Sequence, residues 1–353
     1  MIPEAPADGQ LPASNEWKEK FGTQTSKASP TLHNLATARE LVKGFGIADT
    51  PSPKIILEVF AGPGTLSRAL CELPPSKVSK LIILEDNPLY LPYLHSLAAI
   101  DKRVTVRPLS GWLWTSYSKI TEEGLLSDVK IEEWDNSIRG THPPHSQLHF
   151  IASALPPAES GEALFNQMFR AVASRDWLFQ YGAVPFSAVI PHSFWTRATM
   201  PLGANRRCKL TCVAESTAHI EPAVPLNLME DYGVHFFPPR TRGKDLSHMV
   251  AVNLKPLGYQ MMRVAGVPEW DFVLRSLWIH QGTPVGKSLK YISPGAQNMV
   301  KYMDQSKLEV LDKTPRQMSM DDWAVLMDAF TKWPFHPQGD ALSDTIVIND
   351  KRI

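Results

Sequence analysis

The sequence predicts an α/β protein with a doubly wound, mainly parallel sheet, followed by a small all-helical domain. Apolar runs typical of buried strands recur along the chain and are separated by stretches long enough for crossover helices. The first run, 55–60, leads into a glycine turn at Gly62 and Gly64. The second run, 81–84, ends in an acid, Glu85. A strand, a glycine turn and an acid after the next strand are typical of the entrance to a nucleotide-type cofactor pocket.

The remaining elements follow from hydrophobic spacing. An amphipathic pattern predicts a helix at 32–45, and a proline-containing segment leads from it into the first strand. Further strands are expected at 104–106, 148–152, 183–190 and 248–254, and C-terminal helices at 270–280, 291–303 and 320–333. These elements divide the chain into a flexible segment 1–30, an α/β domain 31–260, a helical domain 261–335 and a mobile tail 336–353.

The composition narrows the class of protein. The 353 residues are 43% hydrophobic, enough for a sizeable core, and 36 basic residues balance 36 acidic ones, so any nucleic-acid contact must come from local clusters. Three cysteines without a C-x-x-C pair favour buried thiols; a Cys208, Cys212 and His219 metal site is the weaker alternative, and no metal is predicted. No apolar run is long enough for a membrane helix, and no targeting segment is readable.

The glycine turn departs from the dinucleotide fingerprint, because Ser67 stands where the third glycine would be. It resembles instead the first motif of S-adenosylmethionine-dependent methyltransferases, beginning at Glu58. In such a motif Gly62 and Gly64 let the backbone approach the methionine portion, and Glu85 accepts hydrogen bonds from the ribose. The alternative is that the glycines only form a tight turn between strand and helix.

The residues that a base methyltransferase needs are missing. Ribosomal RNA adenine dimethyltransferases carry an Asn-Leu-Pro-Tyr/Phe motif after the fourth strand, which accepts hydrogen bonds from the amino group and stacks on the base. Here the matching stretch is Ala154-Leu155-Pro156-Pro157, and the third strand is followed by a segment without an acid, 109–111. We therefore expect no catalytic residue, no required cofactor and a vestigial S-adenosylmethionine pocket.

Four dispersed motifs carry a more specific resemblance: 110–118, 175–182, 270–275 with Thr283-Pro284, and 332–335. Through them the chain resembles the fungal mitochondrial transcription factor B branch of the adenine dimethyltransferase superfamily. The resemblance implies a Rossmann-like S-adenosylmethionine methyltransferase fold without catalysis. It also implies a mitochondrial matrix initiation factor that joins the single-subunit mitochondrial RNA polymerase, melts promoter DNA and binds the non-template strand.

Three groups of residues fit this role. Stacking of an aromatic ring on an unpaired base needs no particular sequence, and basic side chains contact phosphates. We predict an aromatic loop and two basic segments: Trp112, Trp114 and Tyr117; Trp195, Arg197, Arg206, Arg207 and Lys209; and Arg240, Arg242 and Lys244. The tryptophans could instead pack internally, the basic side chains could be solvated, and the second basic segment could meet polymerase. In the family the acidic tail reaches toward the polymerase cleft.

Two other functions stay open. One is ribosomal RNA N6-adenine dimethylation with S-adenosylmethionine, which the alanine at position 154 and the proline at position 157 disfavour. The other is a catalytically inactive fold kept as a component of the mitochondrial ribosome or of its assembly, which predicts stable association with small-subunit RNA.

Overall fold

The computed structural model describes residues 9–22, 30–156, 159–239, 248–261 and 266–342. Its strands are β1 Thr31–Leu32, β2 Lys54–Val59, β3 Val78–Leu84, β4 Val104–Arg107, β5 Leu148–Ala152, β6 Phe186–Pro191, β7 Ala218–Pro222, β8 Phe236–Phe237 and β9 Met249–Pro256. Its α-helices are α1 Trp17–Phe21, α2 Leu35–Gly44, α3 Thr65–Cys71, α4 Leu91–Ile100, α5 Trp114–Glu122, α6 Glu159–Ser174, α7 His192–Ala198, α8 Lys209–Glu215, α9 Tyr232–His235, α10 Val267–Trp278, α11 Val285–Ser288 and α12 Met320–Lys332.

Seven of the strands form one sheet in the order β4-β3-β2-β5-β6-β9-β7. The first five run parallel, and β9 lies antiparallel between β6 and β7. The predicted doubly wound sheet is confirmed, and the predicted strand 148–152 has the observed bounds. The edge strand β7 and the short antiparallel pair of β1 and β8 were not predicted. Both lack the long apolar run that marks a buried strand.

Both faces of the sheet are covered, as a parallel sheet requires. In β2, Ile56 packs toward α2, α3 and α4, whereas Ile55, Leu57 and Val59 pack on the opposite face, toward α5 to α8. This alternation is the period of two that strand geometry imposes. Because parallel strands end at the same edge, the segments that follow β2, β3 and β5 lie together there.

The C-terminal helices continue one of these two cores. Trp270 of α10 and Trp323 of α12 are fully buried, with ring centroids 5.4 Å apart and planes at 90°. They belong to the same cluster of buried side chains as Phe150 of the sheet. The predicted boundary between the α/β and helical domains is not tested by this arrangement and stays a prediction.

One predicted C-terminal helix is wrong in type. Residues 291–303 form no α-helix; 3-10 helices at Leu289–Tyr291 and Ala296–Tyr302 flank Pro294 and Gly295. Proline lacks the N–H that a continuous helix needs, and Gly295 has a left-handed φ of 82°. The prediction of a helix rested on apolar spacing alone, which takes no account of Pro294 and Gly295 in the middle of the segment.

Glu58, the last polar residue of β2, is fully buried. Its carboxylate accepts hydrogen bonds from Ser67 Oγ at 2.7 Å and from Ser153 Oγ at 2.5 Å. Burial raises the pKa of Glu58 to about 7, against the opposing effect of these two hydroxyl donors. The carboxyl group therefore joins β2, α3 and the segment after β5.

Replacing Ser319 with alanine should lower the free energy of unfolding by about 1 kcal/mol. Ser319 Oγ accepts from the amide of Asp322 at 3.2 Å and thereby caps α12. Because α12 packs in the continuous core, we expect circular dichroism to show one thermal transition for the whole chain, shifted to lower temperature. Ser319→Thr keeps the acceptor and should lose less. Two separate transitions would contradict a shared core.

Replacing Glu58 with glutamine should flatten the dependence of stability on pH. Between about pH 4.5 and pH 7 the folded protein keeps a proton on Glu58 that the unfolded chain has lost, so stability falls as pH rises through this window. In the variant the free energy of unfolding should therefore fall less over this pH range, by on the order of 1–3 kcal/mol. Denaturant unfolding at pH 5 and pH 8 measures it. Glu19→Gln, at an exposed site, is the matched control and should leave the profile unchanged.

Candidate nucleic-acid interface and cofactor pocket

The glycine turn between β2 and α3 is held by one arginine. Gly62 and Gly64 have φ values of 59° and 92°, in the left-handed region that favours glycine. The Arg68 guanidinium donates to the carbonyl of Gly64 at 2.9 Å and, from Nε, to the carbonyl of Gly9 at 2.8 Å. Burial lowers the pKa of Arg68 to about 10. The turn is thus tied to the N-terminal segment.

Glu85, at the end of β3, faces the same turn. Its Oε2 accepts from the amide of Gly62 at 2.9 Å, and its Oε1 accepts from the amide of Asn87 at 3.0 Å. Burial raises the pKa of Glu85 to about 7. Both carboxylate oxygens therefore already accept a backbone hydrogen bond, where the predicted pocket would present them to a ribose.

The N-terminal segment and β8 close over this turn. A cavity of about 190 Å³ remains beside Glu85, and its lining includes Phe21, Thr31, Trp112 and Phe237. The methyl group of Thr31 lies against Gly62. Pockets that hold drug-sized ligands measure about 300–1,000 Å³. The cavity is therefore smaller than the pockets that hold such ligands.

Two other residues of the predicted pocket and motif also have defined positions. Glu58 points into the core rather than into the cavity. Ala154 follows β5 at the sheet edge shared with Glu85, is completely buried and has no side-chain acceptor. Pro157 lies outside the described residues.

The aromatic segment after β4 is only partly the predicted loop. Residues 110–113 are irregular, but Trp114 begins α5, so the loop prediction is wrong from that residue onward. Trp112 is half-buried against Phe60, with ring centroids 5.3 Å apart. Trp114 is 38% exposed, whereas Tyr117 is buried and donates its hydroxyl to the carbonyl of Gly111 at 2.8 Å. Of the three rings predicted here, Trp112 and Trp114 therefore present surface to solvent, and Tyr117 does not.

Trp114 is held in a fixed orientation. Its indole Nε1 donates to Gln167 Oε1 of α6 at 2.9 Å, and its ring meets Trp177 edge to face, with centroids 5.3 Å apart. Trp177 in turn packs on Phe150 of β5 at 4.8 Å. These rings connect the surface to the sheet. A side chain fixed in this way loses little conformational entropy when it binds a ligand.

Trp114 and Trp177 line an open groove of about 950 Å³ between α5, α6 and the start of α10. We call it the aromatic groove; it also includes Gln167 and Arg170. The site prediction missed Trp177, Gln167 and Arg170. Trp177 lies within the motif at 175–182, so the sequence carried a signal for it. Gln167 and Arg170 lie on an ordinary amphipathic helix and carried none.

The first basic segment does not form the predicted positive patch. Arg207 is buried and pairs with Glu215 at 2.5 Å, so its predicted surface charge is wrong. Arg197 pairs with Glu162 at 2.7 Å, and Lys209 pairs with Asp271 at 2.7 Å. The acids come from α6, α8 and α10, which a local count of charges does not include.

Two residues of this segment remain candidates. Arg206 is exposed and makes no ion pair within the described ranges. Trp195 is half-buried in α7 and packs on the core. The second segment, with Arg240, Arg242 and Lys244, lies outside the described residues.

Apart from these surfaces, the described residues offer few groups for metal or thiol chemistry. Across the part of the chain that the structure describes, no three His, Cys, Asp or Glu side chains are grouped to hold a metal ion. Cys212 is buried, and Cys71 and Cys208 are half-buried free thiols. No helix among the described residues has the length and hydrophobicity to cross a bilayer.

The chain is similar in sequence to curated proteins named Mitochondrial transcription factor 1. The match to the protein from Saccharomyces cerevisiae is 23% identical over 247 residues. This match covers 66% of this chain and 67% of that protein. The chain is 21% identical over 297 residues to the protein of the same name from Lachancea kluyveri, which covers 80% of this chain and 82% of that protein.

Solved structures share the fold. A dimethyladenosine transferase from Plasmodium falciparum superposes with a TM-score of 0.57 at 15% identity, over 86% of this chain and 98% of that one. The 23S rRNA methyltransferase ErmE gives 0.51 at 13% identity, over 85% and 98%. The family model described as ribosomal RNA adenine dimethylase matches residues 25–327. The chain therefore belongs to the ribosomal RNA adenine dimethylase family.

Proposed function

We propose that this protein is a mitochondrial transcription initiation factor that binds melted promoter DNA and does not methylate. The observation that carries the proposal is the fixed, partly exposed Trp114 at the aromatic groove; the small cavity beside Glu85, about 190 Å³, supports it. Similarity to proteins named Mitochondrial transcription factor 1 supports the role and a mitochondrial location. We place the protein in the matrix, where it pairs with mitochondrial RNA polymerase.

The aromatic groove has the chemistry for single-stranded DNA. An unpaired base exposes its π-face, and stacking on an aromatic side chain contributes about 1–3 kcal/mol per base without demanding one sequence. Trp114 and Trp112 offer partly exposed rings, and Arg170, with 43% of its side chain exposed, lies in the same groove, where it also pairs with Asp271 at 4.0 Å. We assign these tryptophans to the non-template strand. Tyr117 acts indirectly, because its buried hydroxyl fixes the carbonyl of Gly111, which directly precedes Trp112.

Methyl transfer to adenine needs groups that this site lacks. The amino group must be held by hydrogen-bond acceptors, and residue 154 offers only a methyl side chain. Glu85 is engaged by the glycine turn that it would need to share with a cofactor. We therefore propose that S-adenosylmethionine is not required and that Glu58, Gly62, Gly64 and Glu85 now serve the fold.

The deciding experiment follows strand opening. A fluorescent base analogue is placed at the start site of a mitochondrial promoter, and its emission is measured with the cognate polymerase, with this protein, and with both. We expect an increase only with both proteins and without S-adenosylmethionine. No increase, together with transfer of radiolabelled methyl groups to small-subunit ribosomal RNA, would favour the dimethyltransferase alternative.

Trp114→Ala should reduce initiation on duplex promoters several-fold more than on promoters with a pre-melted bubble. The reason is that a stacked base helps to offset the cost of melting, on the order of 1–3 kcal/mol for one ring. Run-off transcription on the two templates measures the ratio. Leu113→Ala, next to it and also exposed, removes side-chain bulk but no aromatic ring and serves as the control. Equal losses on both templates would exclude a role in trapping the separated strand.

A further inference from the structure

The C-terminal region carries a positively charged surface that the predicted sites do not include. Between Asp271 and Asp304 the sequence contains no Asp or Glu, yet it contains Lys287, Lys290 and Lys301. All three lysines are exposed, and none pairs with a carboxylate within the ranges that the structure describes. This distinguishes them from the first basic segment, in which α6, α8 and α10 supply acids.

Lys290 lies near a fixed aromatic ring, and Lys287 lies on the same helical face as Lys290. Tyr291 is 50% exposed and stacks on His280, with ring centroids 3.9 Å apart and planes at 22°. Lys290 Nζ lies 5.0 Å from the centre of the Tyr291 ring. Lys287 precedes Lys290 by three residues on consecutive helical turns, which places both on one side. We call these four residues the lysine–tyrosine surface.

The chemistry of this surface favours nucleic acid over protein. Lysine is depleted in protein–protein interfaces, whereas protein–DNA interfaces are strongly positive and bind phosphates. A lysine ammonium suits a phosphate oxygen because it is a compact point charge with three donors. The acids of the adjacent 3-10 helix Gln305–Asp312, Glu309 and Asp312, border the surface and form no ion pair with its lysines.

The position of this surface relative to the aromatic groove sets the length of DNA that could reach both. Val267 and Pro268, at the start of α10, line the groove, and His280 follows the end of the same helix. A helix of twelve residues is about 18 Å long. At 3.4 Å per nucleotide step this distance corresponds to about five nucleotides.

We propose that the lysine–tyrosine surface binds the phosphate backbone of promoter DNA about five nucleotides from the end of the aromatic groove at Val267 and Pro268. The proposal rests on the proposed function, because it takes the DNA in the aromatic groove as its starting point. The surface then adds salt-dependent affinity that is independent of sequence, and Tyr291 packs against the sugar between two phosphates. Binding at both places would hold the DNA in one direction across α10.

The test is the salt dependence of DNA binding by the full chain alone. A forked promoter DNA carries a fluorescent label, and anisotropy gives its affinity over a range of salt concentrations. Each phosphate contact contributes about 0.7–0.9 to the slope of log affinity against log salt. Lys287→Ala with Lys290→Ala should therefore make the slope less negative by about 1.4–1.8. Affinity for the polymerase without DNA should stay unchanged.

Matched controls make the outcome decisive. Lys43→Ala with Lys332→Ala removes the same charge from exposed lysines that pair with Glu40 and Asp328, and it should leave the slope near that of the wild type. A DNA that ends less than about five nucleotides beyond the aromatic groove cannot reach the lysine–tyrosine surface. It should therefore bind the wild type and the double variant equally. An unchanged slope in a variant with a wild-type thermal midpoint would overturn the proposal.

Together with the promoter-opening assay and the affinity for polymerase, the salt dependence distinguishes failure of the lysine–tyrosine surface from failure of the proposed function. If the wild-type protein opens the promoter but the double variant keeps the wild-type slope, only the lysine–tyrosine surface is wrong. If the double variant loses affinity for the polymerase and keeps its DNA slope, the surface binds protein and the proposal fails. If the wild-type protein does not open the promoter, the proposed function itself fails.

Discussion

The central strand β2 is buried on both faces along its whole length, and its neighbours β3 and β5 are held in register on either side. This burial fixes where the three strands end, and therefore where the glycine turn, Glu85 and Ala154 meet. The one ionisable side chain that β2 places in the interior near its end, Glu58, is satisfied by two serine hydroxyls from α3 and from the segment after β5. The packing of the core therefore fixes the geometry of this edge of the sheet, independently of any ligand.

The sequence predicted the parts of the fold in which local pattern and burial coincide. The strands β2, β3 and β5 each contain a largely apolar run, and α12 has a regular apolar period. The bounds of β2, β5 and α12 were therefore predicted to within one residue, whereas β3 begins before its predicted start because Ser79 and Lys80 are polar. Pro294 and Gly295 interrupt the predicted helix locally, which apolar spacing does not reveal, whereas the two-residue strands β1 and β8 depend on pairing between segments that are far apart in sequence.

The candidate site was predictable to a smaller extent, for an electrostatic reason. Whether a basic side chain is free depends on acids that are distant in sequence, as Arg197 with Glu162 and Lys209 with Asp271 show. Conversely, the lysines of the lysine–tyrosine surface lie in a long acid-free stretch, which a count of residues could have found. Tyr117 and Trp114 are three residues apart on one helix, yet only Trp114 is exposed. The motif identified the segment but not which rings face solvent.

The edge-to-face pair of Trp114 and Trp177 has an optical consequence. Two indole rings at 5.3 Å and nearly perpendicular couple their electronic transitions, so the pair should contribute its own band to the circular dichroism of the protein. A ligand that turns Trp114 away from Trp177 would reduce this signal to the part that the buried Trp270–Trp323 pair contributes, whereas one that stacks on Trp114 in place would keep the full signal and quench the emission of Trp114. The native protein therefore contains a built-in spectroscopic probe that distinguishes rearrangement of the aromatic groove from simple occupation.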